Sequence, residues 1–310
     1  MKKYRHLTNA EIETLTSNAC QAQDWSQIEV AEGFNAANLH RVTFYGTARL
    51  GCSDGTIEVS DGFVKNCGIV NATLRNVVIG DDCLIENIGN FMNNVAVGDH
   101  CYISNVCTIE TRPKATYGEG NLISVLNEAG DGNLILFNGL NSQLAALMVK
   151  HFDNRHLRVA LEKMINKAIE NERRPCSTIG DGVRIVNTNE ITNTIIGDGC
   201  QISGASRLSD CTIASTADNP ITIGTGVICE KSIVSGGSTI INSVKMVDCM
   251  VGETCELSNG FTAASSVFFA NSYMSNGEAC AAFCGPFTVS HHKSSLLIGG
   301  MFSFYNAGSA

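Results

Sequence analysis

A six-residue spacing of apolar residues between positions 79 and 109 constrains this chain more than any other feature. An amphipathic helix places apolar residues three and four positions apart, and a half-buried strand alternates them through many residues. Neither pattern fits, so we interpret each unit as one very short strand and a turn. Three units would carry the backbone once around a three-sided coil, and coils would stack about 4.8 Å apart. The apolar anchors are Ile79, Ile85, Phe91, Val97, Ile103 and Ile109.

The segment Ile79-Gly80-Asp81-Asp82-Cys83-Leu84 resembles the hexapeptide repeat of the left-handed β-helix superfamily. It begins with an aliphatic residue and a small residue, and it has a second small residue at its fifth position. The resemblance extends over roughly two thirds of the chain and implies an all-β solenoid, specifically a left-handed parallel β-helix. Such a likeness is specific for fold and much less specific for function.

The pattern divides the chain into four predicted segments. Residues 1–40 form an N-terminal helical cap, because Thr8 and Glu11 make a capping box at the start of a short helix within residues 7–20. Residues 41–112 form a first β-helix segment, in which Ile57, Phe63 and Ile69 continue the spacing of six.

The spacing stops at Arg112-Pro113, and residues 113–176 are predicted to be a structured insertion. Two apolar runs flank a turn-rich stretch that contains Glu128 and Asp131, which is typical of a hairpin. Two helices follow, over about 140–151 and 154–173, and the second carries an apolar stripe from Leu157 to Ile169. Residues 177–310 resume the β-helix, and the step from Ile179 to Ile196 is one residue shorter than three full units, which implies a shortened corner.

Composition limits the partners. The net charge is −9 and no run of Lys or Arg occurs, which argues against nucleic acid or an anionic membrane and favours a small-molecule ligand. The N-terminal residues lack the apolar core of a signal peptide, so we expect a cytoplasmic protein. Residues 299–310 still resemble strand and corner, so we expect the β-helix to be truncated at its C-terminal end.

Fourteen cysteines suggest a disulfide framework at first sight, but no CxxC pair occurs. Four of them share one position, four residues after an aliphatic anchor, where a β-helix needs a small and nearly apolar side chain. We therefore expect buried thiols, not a metal or redox site. These four are Cys83, Cys101, Cys200 and Cys255.

The family resemblance also carries functional expectations. Many hexapeptide-repeat proteins are acyltransferases, typically trimers that bind acyl-CoA between adjacent β-helices and use a His as general base. The resemblance thus implies an acyl-CoA co-substrate, a homo-oligomer and a sugar or nucleotide-sugar acceptor. Segments 124–130 and 291–297 are also similar to a group of long, uncharacterised hexapeptide-repeat proteins, for which no activity is implied.

His291 and His292 are the predicted catalytic residues. They lie in Pro286-Phe287-Thr288-Val289-Ser290-His291-His292-Lys293, which is similar to a Phe-x-x-x-Lys stretch of bifunctional uridyltransferase/acetyltransferases. A neutral His can accept a proton from an acceptor hydroxyl at neutral pH, and Lys293 or Arg174 can hold a phosphate. The alternatives are that both histidines lie at a solvated corner and that Arg174 complements the dipole of the preceding helix.

Other titratable residues have simpler explanations. His100 is expected at an exposed corner, and His151 and His156 bracket a helix turn, where they can cap helix ends. Without a third ligand of fixed spacing, no metal site is predicted.

Two functions of different classes remain open. The first is an acyl-CoA-dependent acyltransferase that modifies a sugar or nucleotide-sugar. The second is a non-catalytic assembly or ligand-sensing module, because segments such as Asn242-Ser243-Val244 look like β-helical domains attached to sugar nucleotidyltransferases.

Overall fold

The computed structural model describes residues 2–130 and 132–307. The chain divides into two units. Unit 1 comprises Met1–Pro113, Cys176–Thr192 and Ile196–Gly204. Unit 2 comprises Lys114–Pro175, Asn193–Ile195 and Ala205–Ala310. Strands dominate both units, as the sequence predicts, and most of their pairings are parallel.

Unit 1 begins with the predicted helix α1 (Asn9–Ser17), whose capping box is confirmed: Thr8 Oγ1 accepts from the backbone N–H of Glu11, and Glu11 accepts from the N–H of Thr8. Two 3₁₀ turns, Trp25–Gln27 and Ala36–Asn38, follow. The strands up to residue 113 are β1 (Tyr4–His6), β2 (Gln21–Ala22), β3 (Ile28–Ala31), β4 (Leu39–Leu50), β5 (Thr56–Ser60), β6 (Phe63–Asn66), β7 (Gly68–Ile79), β8 (Leu84–Val97) and β9 (Tyr102–Glu110).

Parallel pairing starts before residue 40, because β2 and β3 both pair with β4. β4, β7, β8 and β9 then pair in succession. Ile69 is the register partner of Ile85, and Leu84 is the register partner of Tyr102. Partners on neighbouring strands are therefore separated in sequence by nearly the length that three six-residue units predict.

One predicted anchor is wrong. Phe91 is 37% exposed, while the adjacent Met92 is completely buried and pairs with Ile109. The register between β8 and β9 shifts between Ile88 and Phe91, because the chain takes an extra residue there. The strict spacing of six therefore fails at this corner.

The anchors Ile57 and Phe63 are also wrong. β5 and β6 form a separate antiparallel hairpin, in which Phe63 is 58% exposed. The turn between them contains Gly62, whose φ of +69 favours glycine, and its N–H donates to Glu58. Arg184 donates to two backbone carbonyls of the hairpin and stacks 4.6 Å from the Tyr102 ring.

The Gly-Asp pairs of the repeat build a ladder along one corner of unit 1. Oδ1 of Asp99 accepts the N–H of Asp81 at 2.7 Å, and Oδ1 of Asp181 accepts the N–H of Asp99 at 2.7 Å. The residue after each Asp has a left-handed backbone, including His100 with φ +58. His100 is exposed, as predicted.

The four repeat cysteines are buried, which confirms the prediction. Cys101 and Cys200 are completely buried, and all fourteen cysteines of the chain are thiols. Burial raises the pKa of Cys200 to about 12 and that of Cys255 to about 11, because a thiolate would lose its hydration. Cys200 and Cys255 are therefore unreactive packing groups.

Unit 1 is completed by a second segment of chain, as predicted from the return of the repeat at Ser177. β12 (Ser177–Ile179) pairs with β8, and β13 (Arg184–Val186) pairs with β9. Ile179 lies beside Ile196, so the predicted shortened step is confirmed. Thr111 Oγ1 accepts the backbone N–H of Ser177 at 2.6 Å and joins the two segments. The strands are β12 (Ser177–Ile179), β13 (Arg184–Val186), β14 (Glu190–Ile196) and β15 (Gln201–Ser203).

Unit 2 begins with the hairpin and the helix pair, all of which are confirmed. β10 (Leu122–Ile123) and β11 (Leu134–Ile135) pair antiparallel, and Asp131 of the turn lies outside the described residues. α2 (Ser142–Lys150) and α3 (Arg155–Glu172) follow, with N-caps Asn141 and Asn154. His151 is the C-cap residue of α2.

Parallel strands make up the rest of unit 2. Ile228 lies beside Lys245 and Lys245 beside Thr262, so these register partners keep the shortened step that separates Ile179 from Ile196. The strands are β16 (Arg207–Ala214), β17 (Thr222–Ile223), β18 (Ile228–Glu230), β19 (Ile233–Ser235), β20 (Thr239–Ile240), β21 (Lys245–Val247), β22 (Met250–Val251), β23 (Glu256–Ser258), β24 (Thr262–Ala264), β25 (Val267–Phe268), β26 (Tyr273–Ser275), β27 (Glu278–Cys280), β28 (Phe283–Cys284), β29 (Val289–Ser290), β30 (Leu296–Ile298), β31 (Met301–Phe302) and β32 (Asn306–Ala307).

The hairpin and helices cover one face of these strands. Met250, Val267 and Phe283 are register partners and are at most 4% exposed. Their neighbours along each strand point to the opposite face and are also buried, so both faces of these strands are covered. They share an apolar cluster with Leu134 and with Ile165 of α3. Of the predicted stripe of α3, only Ile165 is fully buried, and Leu161 and Ile169 pack partly against the same cluster. Met164 is 50% exposed, and Ala160 and Ala168 are exposed too, so the stripe is buried only in part.

Candidate functional site

The predicted histidines lie in the segment that joins β29 to β30. β29 ends at Ser290, and the chain then turns through Lys293 and Ser294 before β30 begins at Leu296. Asn276 Nδ2 donates to the carbonyl of His291 at 3.1 Å, and the N–H of Ser295 donates to the carbonyl of His292 at 3.1 Å. These backbone contacts hold both histidines at one corner of unit 2.

The two imidazole rings are in contact with each other. Their centroids are 4.3 Å apart with an interplanar angle of 38°, and the Tyr273 ring lies 6.2 Å from the His291 ring. Both histidines are half-buried, not fully solvated. The corner thus combines two possible proton acceptors with a phenol in a partly dehydrated position.

Unused hydrogen-bonding groups are concentrated near this corner. Nδ1 of His291 is buried and has no partner among the described residues, and the same is true of the hydroxyls of Ser290, Ser295 and Ser258. Buried polar atoms are nearly always hydrogen-bonded in proteins, so such a group of exceptions marks capacity for water or a ligand.

The two predicted cations occupy different places. Lys293 is exposed in the turn next to the histidines. Arg174 follows the end of α3, and it is not among the partners that the structure gives to His291 or His292. Within residues 2–130 and 132–307, neither imidazole contacts a carboxylate.

Sequence reasoning missed a cavity between the hairpin and the helix pair of unit 2. Its volume is about 440 Å³, which lies in the range of small-molecule sites. Its apolar walls come from β10, β11, α2, the turn after α2, and α3, through Leu122, Ile135, Met148, Phe152, Leu157 and Leu161. In the sequence, only the apolar stripe of α3 indicated that apolar side chains would meet in this region.

Charged and polar groups stand among these apolar walls. The Arg158 guanidinium lies 5.2 Å above the Phe152 ring and 3.7 Å from the Glu162 carboxylate. His151 adds an imidazole. The amide of Asn133 accepts from the N–H of Val125 and donates to its carbonyl, so both its oxygen and its nitrogen already bond to the backbone.

The described part of the chain contains neither a cluster of metal ligands nor a membrane-spanning helix. No group of three or more His, Cys, Asp and Glu side chains is placed to hold a metal ion there. No helix in the same residues combines the length and the apolar character that crossing a bilayer requires.

Comparison with known proteins identifies a family and a relative of this chain. Residues 4–310 match the family described as Domain of unknown function (DUF4954). An uncharacterized protein of Treponema pallidum (strain Nichols) is 26% identical over 308 residues, which are 96% of this chain and 42% of that protein. The chain therefore spans less than half the length of this relative. Because the match covers nearly all of its residues, the chain belongs to the DUF4954 family.

Proposed function

We propose that both units are coils of a left-handed parallel β-helix. Three observations support this: most strands of the large sheet pair in parallel with a strand that lies about three six-residue units later, corners repeatedly use left-handed backbone, and asparagines at successive corners bond to one another. Asn71 donates to Asn87, and Asn242 donates to Asn259. A six-residue repeat on three sides requires this combination of short strands and tight corners.

We further propose that the chain transfers an acyl group from acyl-CoA to a hydroxyl or amine of a sugar or nucleotide-sugar. The contact between the half-buried rings of His291 and His292 is the observation that carries this proposal. A general base needs a nitrogen close to neutral pKa and a site from which water is partly excluded.

The chemical step follows from this geometry. Nδ1 of His291 is buried, so Nε2 is the nitrogen that reaches the acceptor. It takes the proton of the acceptor hydroxyl or amine while the acceptor atom attacks the thioester carbonyl. The carbon–sulfur bond then breaks, and the imidazolium returns the proton to the CoA thiolate. Lys293 holds a phosphate of CoA or of the acceptor and makes no bond. Arg174, which follows the end of α3, takes no part in this step.

A second function is favoured by a different observation. Neither imidazole has a carboxylate partner among the described residues to fix its orientation, which catalytic histidines usually have. A non-catalytic module for assembly or ligand sensing needs no such partner. In that case the β-helix is a rigid platform and the cavity in unit 2 holds its ligand.

Assembly and location complete the proposal. We propose a homo-oligomer, a trimer by the family resemblance, because the corner of His291 needs a neighbouring surface to enclose a substrate. We propose a cytoplasmic location, because fourteen thiols without a disulfide are typical of a reducing compartment.

The test is acyl-CoA consumption in the presence of amino-sugars and nucleotide-sugars. We expect His291→Ala or His292→Ala to lower the rate about 10²- to 10⁴-fold with an unchanged melting temperature. His100→Asn is the matched control, because His100 is an exposed corner histidine in a left-handed conformation that Asn tolerates. Equal activity of all variants would remove the histidines from the mechanism. Binding of a nucleotide-sugar without turnover would favour the platform.

A further inference from the structure

We infer that the cavity between the hairpin and the helix pair of unit 2 binds a single-chain amphipathic carboxylate, such as a medium-chain fatty acid. This site is separate from the histidine corner, and the inference does not depend on acyl transfer. It rests on the volume of the cavity, on its apolar walls and on the Arg158 guanidinium at its border.

The apolar walls fit a hydrocarbon chain. Leu122 is 58% exposed although it lies on a strand, and it lines the cavity together with the half-buried Leu157 and Leu161. Exposed aliphatic surface in a concave site gains free energy when a ligand covers it. A volume of about 440 Å³ accommodates one chain and its headgroup.

Arg158 is the group suited to the headgroup. Its guanidinium is held over Phe152, and its distance of 3.7 Å from Glu162 is too long for a direct hydrogen bond. Several N–H donors of Arg158 are therefore available to a carboxylate, which guanidinium groups bind with two parallel hydrogen bonds. The ring of Phe152 limits the orientations of the guanidinium before the ligand arrives.

Among the described residues, the charged side chains that line the cavity are Arg158 and Glu162, which lie next to each other. Arg158 belongs to the first turn of α3, which has no acidic residue. Helix N-termini usually attract Asp and Glu, because the helix dipole is positive there. Cations at this end oppose the dipole and lower helix stability, and an anionic headgroup in the cavity would relieve that opposition. His151 adds a further donor on the same rim.

The experiment is a calorimetric titration of the whole chain with decanoate, compared with decyltrimethylammonium, which has the same tail and the opposite charge. We expect saturable binding of decanoate and much weaker binding of the cation. Arg158→Gln should weaken decanoate binding about 10- to 100-fold, as loss of a charged hydrogen-bond partner predicts. Leu122→Gln should also weaken binding, because it removes apolar wall.

Matched controls separate binding from folding. Arg155→Gln removes an exposed cation of the same helix turn that does not line the cavity, and Val159→Gln removes an apolar residue that is 53% exposed elsewhere on α3. Both should bind decanoate like the wild type, and all four variants should keep its melting temperature. Absence of decanoate binding, equal affinity for the cationic amphiphile, or equal affinity of Arg158→Gln and Arg155→Gln would overturn the inference.

Discussion

Gly180→Ala tests whether the close approach of the next strand requires glycine in the Gly-Asp corners of unit 1. A Cβ at this position would lie 2.7 Å from the backbone nitrogen of Asp198 and 2.8 Å from the carbonyl carbon of Gly197, and closer still to Oδ1 of Asp198. Two of these three atoms belong to backbone, so no side-chain rotation relieves the clash. The same Oδ1 accepts the N–H of Asp181 at 2.9 Å, so the new methyl group would also disturb a hydrogen bond of the ladder.

The expected cost follows from these two effects. Overpacking typically costs about 1–3 kcal/mol, and loss of a hydrogen bond to a charged group costs about 1.5–3 kcal/mol. Because one displacement can partly relieve both, we expect Gly180→Ala to lower the free energy of unfolding by about 2–4 kcal/mol. For a chain of this size that corresponds to a fall in melting temperature of roughly 4–10 °C. Circular dichroism and urea unfolding would measure it.

Gly182→Asn is the matched control from the same turn. Gly182 has φ +64, and a Cβ there would meet nothing within 4 Å. Asp82 and His100 occupy the same position in earlier turns with φ +50 and +58, so side chains are accommodated there. We expect a change within about 1 kcal/mol. If Gly180→Ala melts like the wild type, or if Gly182→Asn is as destabilising, the steric explanation of the glycine is refuted.

Three further predictions concern other parts of the fold. Ile165→Ala should cost about 2–5 kcal/mol in urea unfolding because Ile165 is completely buried. Val159→Ala, on the exposed side of α3, should cost less than about 0.5 kcal/mol, and equal costs would contradict the burial of Ile165. Glu11→Gln should cost about 1 kcal/mol at pH 7. The Arg5 guanidinium lowers the pKa of Glu11 from 4.5 to about 2. The stabilisation by the Glu11 carboxylate is therefore complete above pH 4.5 and is lost as the pH falls through about 2. The melting temperatures of the variant and the wild type should converge at that pH, and a constant difference would refute the pairing. Phe63→Ser, at the tip of the β5–β6 hairpin, should leave the melting temperature unchanged, and a fall of several degrees would show that this ring is covered in solution.

The sequence predicts the repeat well wherever the corner chemistry is uniform. Gly-Asp corners fix both the place of a turn and the residue that faces inwards, so Ile79, Val97 and Ile179 are all buried as expected. It fails where neighbouring residues are equally apolar. Phe91 and Met92 both suit the interior, and only the extra residue of the corner decides which of them enters.

The candidate site, too, was predictable from the sequence only in part. His291 and His292 were predicted from residue type and from the resemblance of their segment to acetyltransferases, and the contact between their rings follows from their adjacency at a corner. The cavity of unit 2 could not be predicted, because its walls come from strands and helices whose relative placement depends on tertiary packing. Leu122 and Leu161 belong to ordinary strand and helix patterns, and neither pattern reveals that the two side chains line one space.

The hydrogen bonds between Thr111 and Ser177 have a consequence for the time at which unit 1 can fold. They join residues 66 positions apart, and β12 to β15 complete unit 1 only after this interval. The equilibrium cost of such a long closure is small, since doubling a loop adds only about 0.6 kcal/mol. During synthesis at about 5–20 residues per second, however, the last strands of unit 1 emerge several seconds after β9. Until then the edge of β9 is open to pairing with other chains, so the order of synthesis makes this edge the most vulnerable part of unit 1.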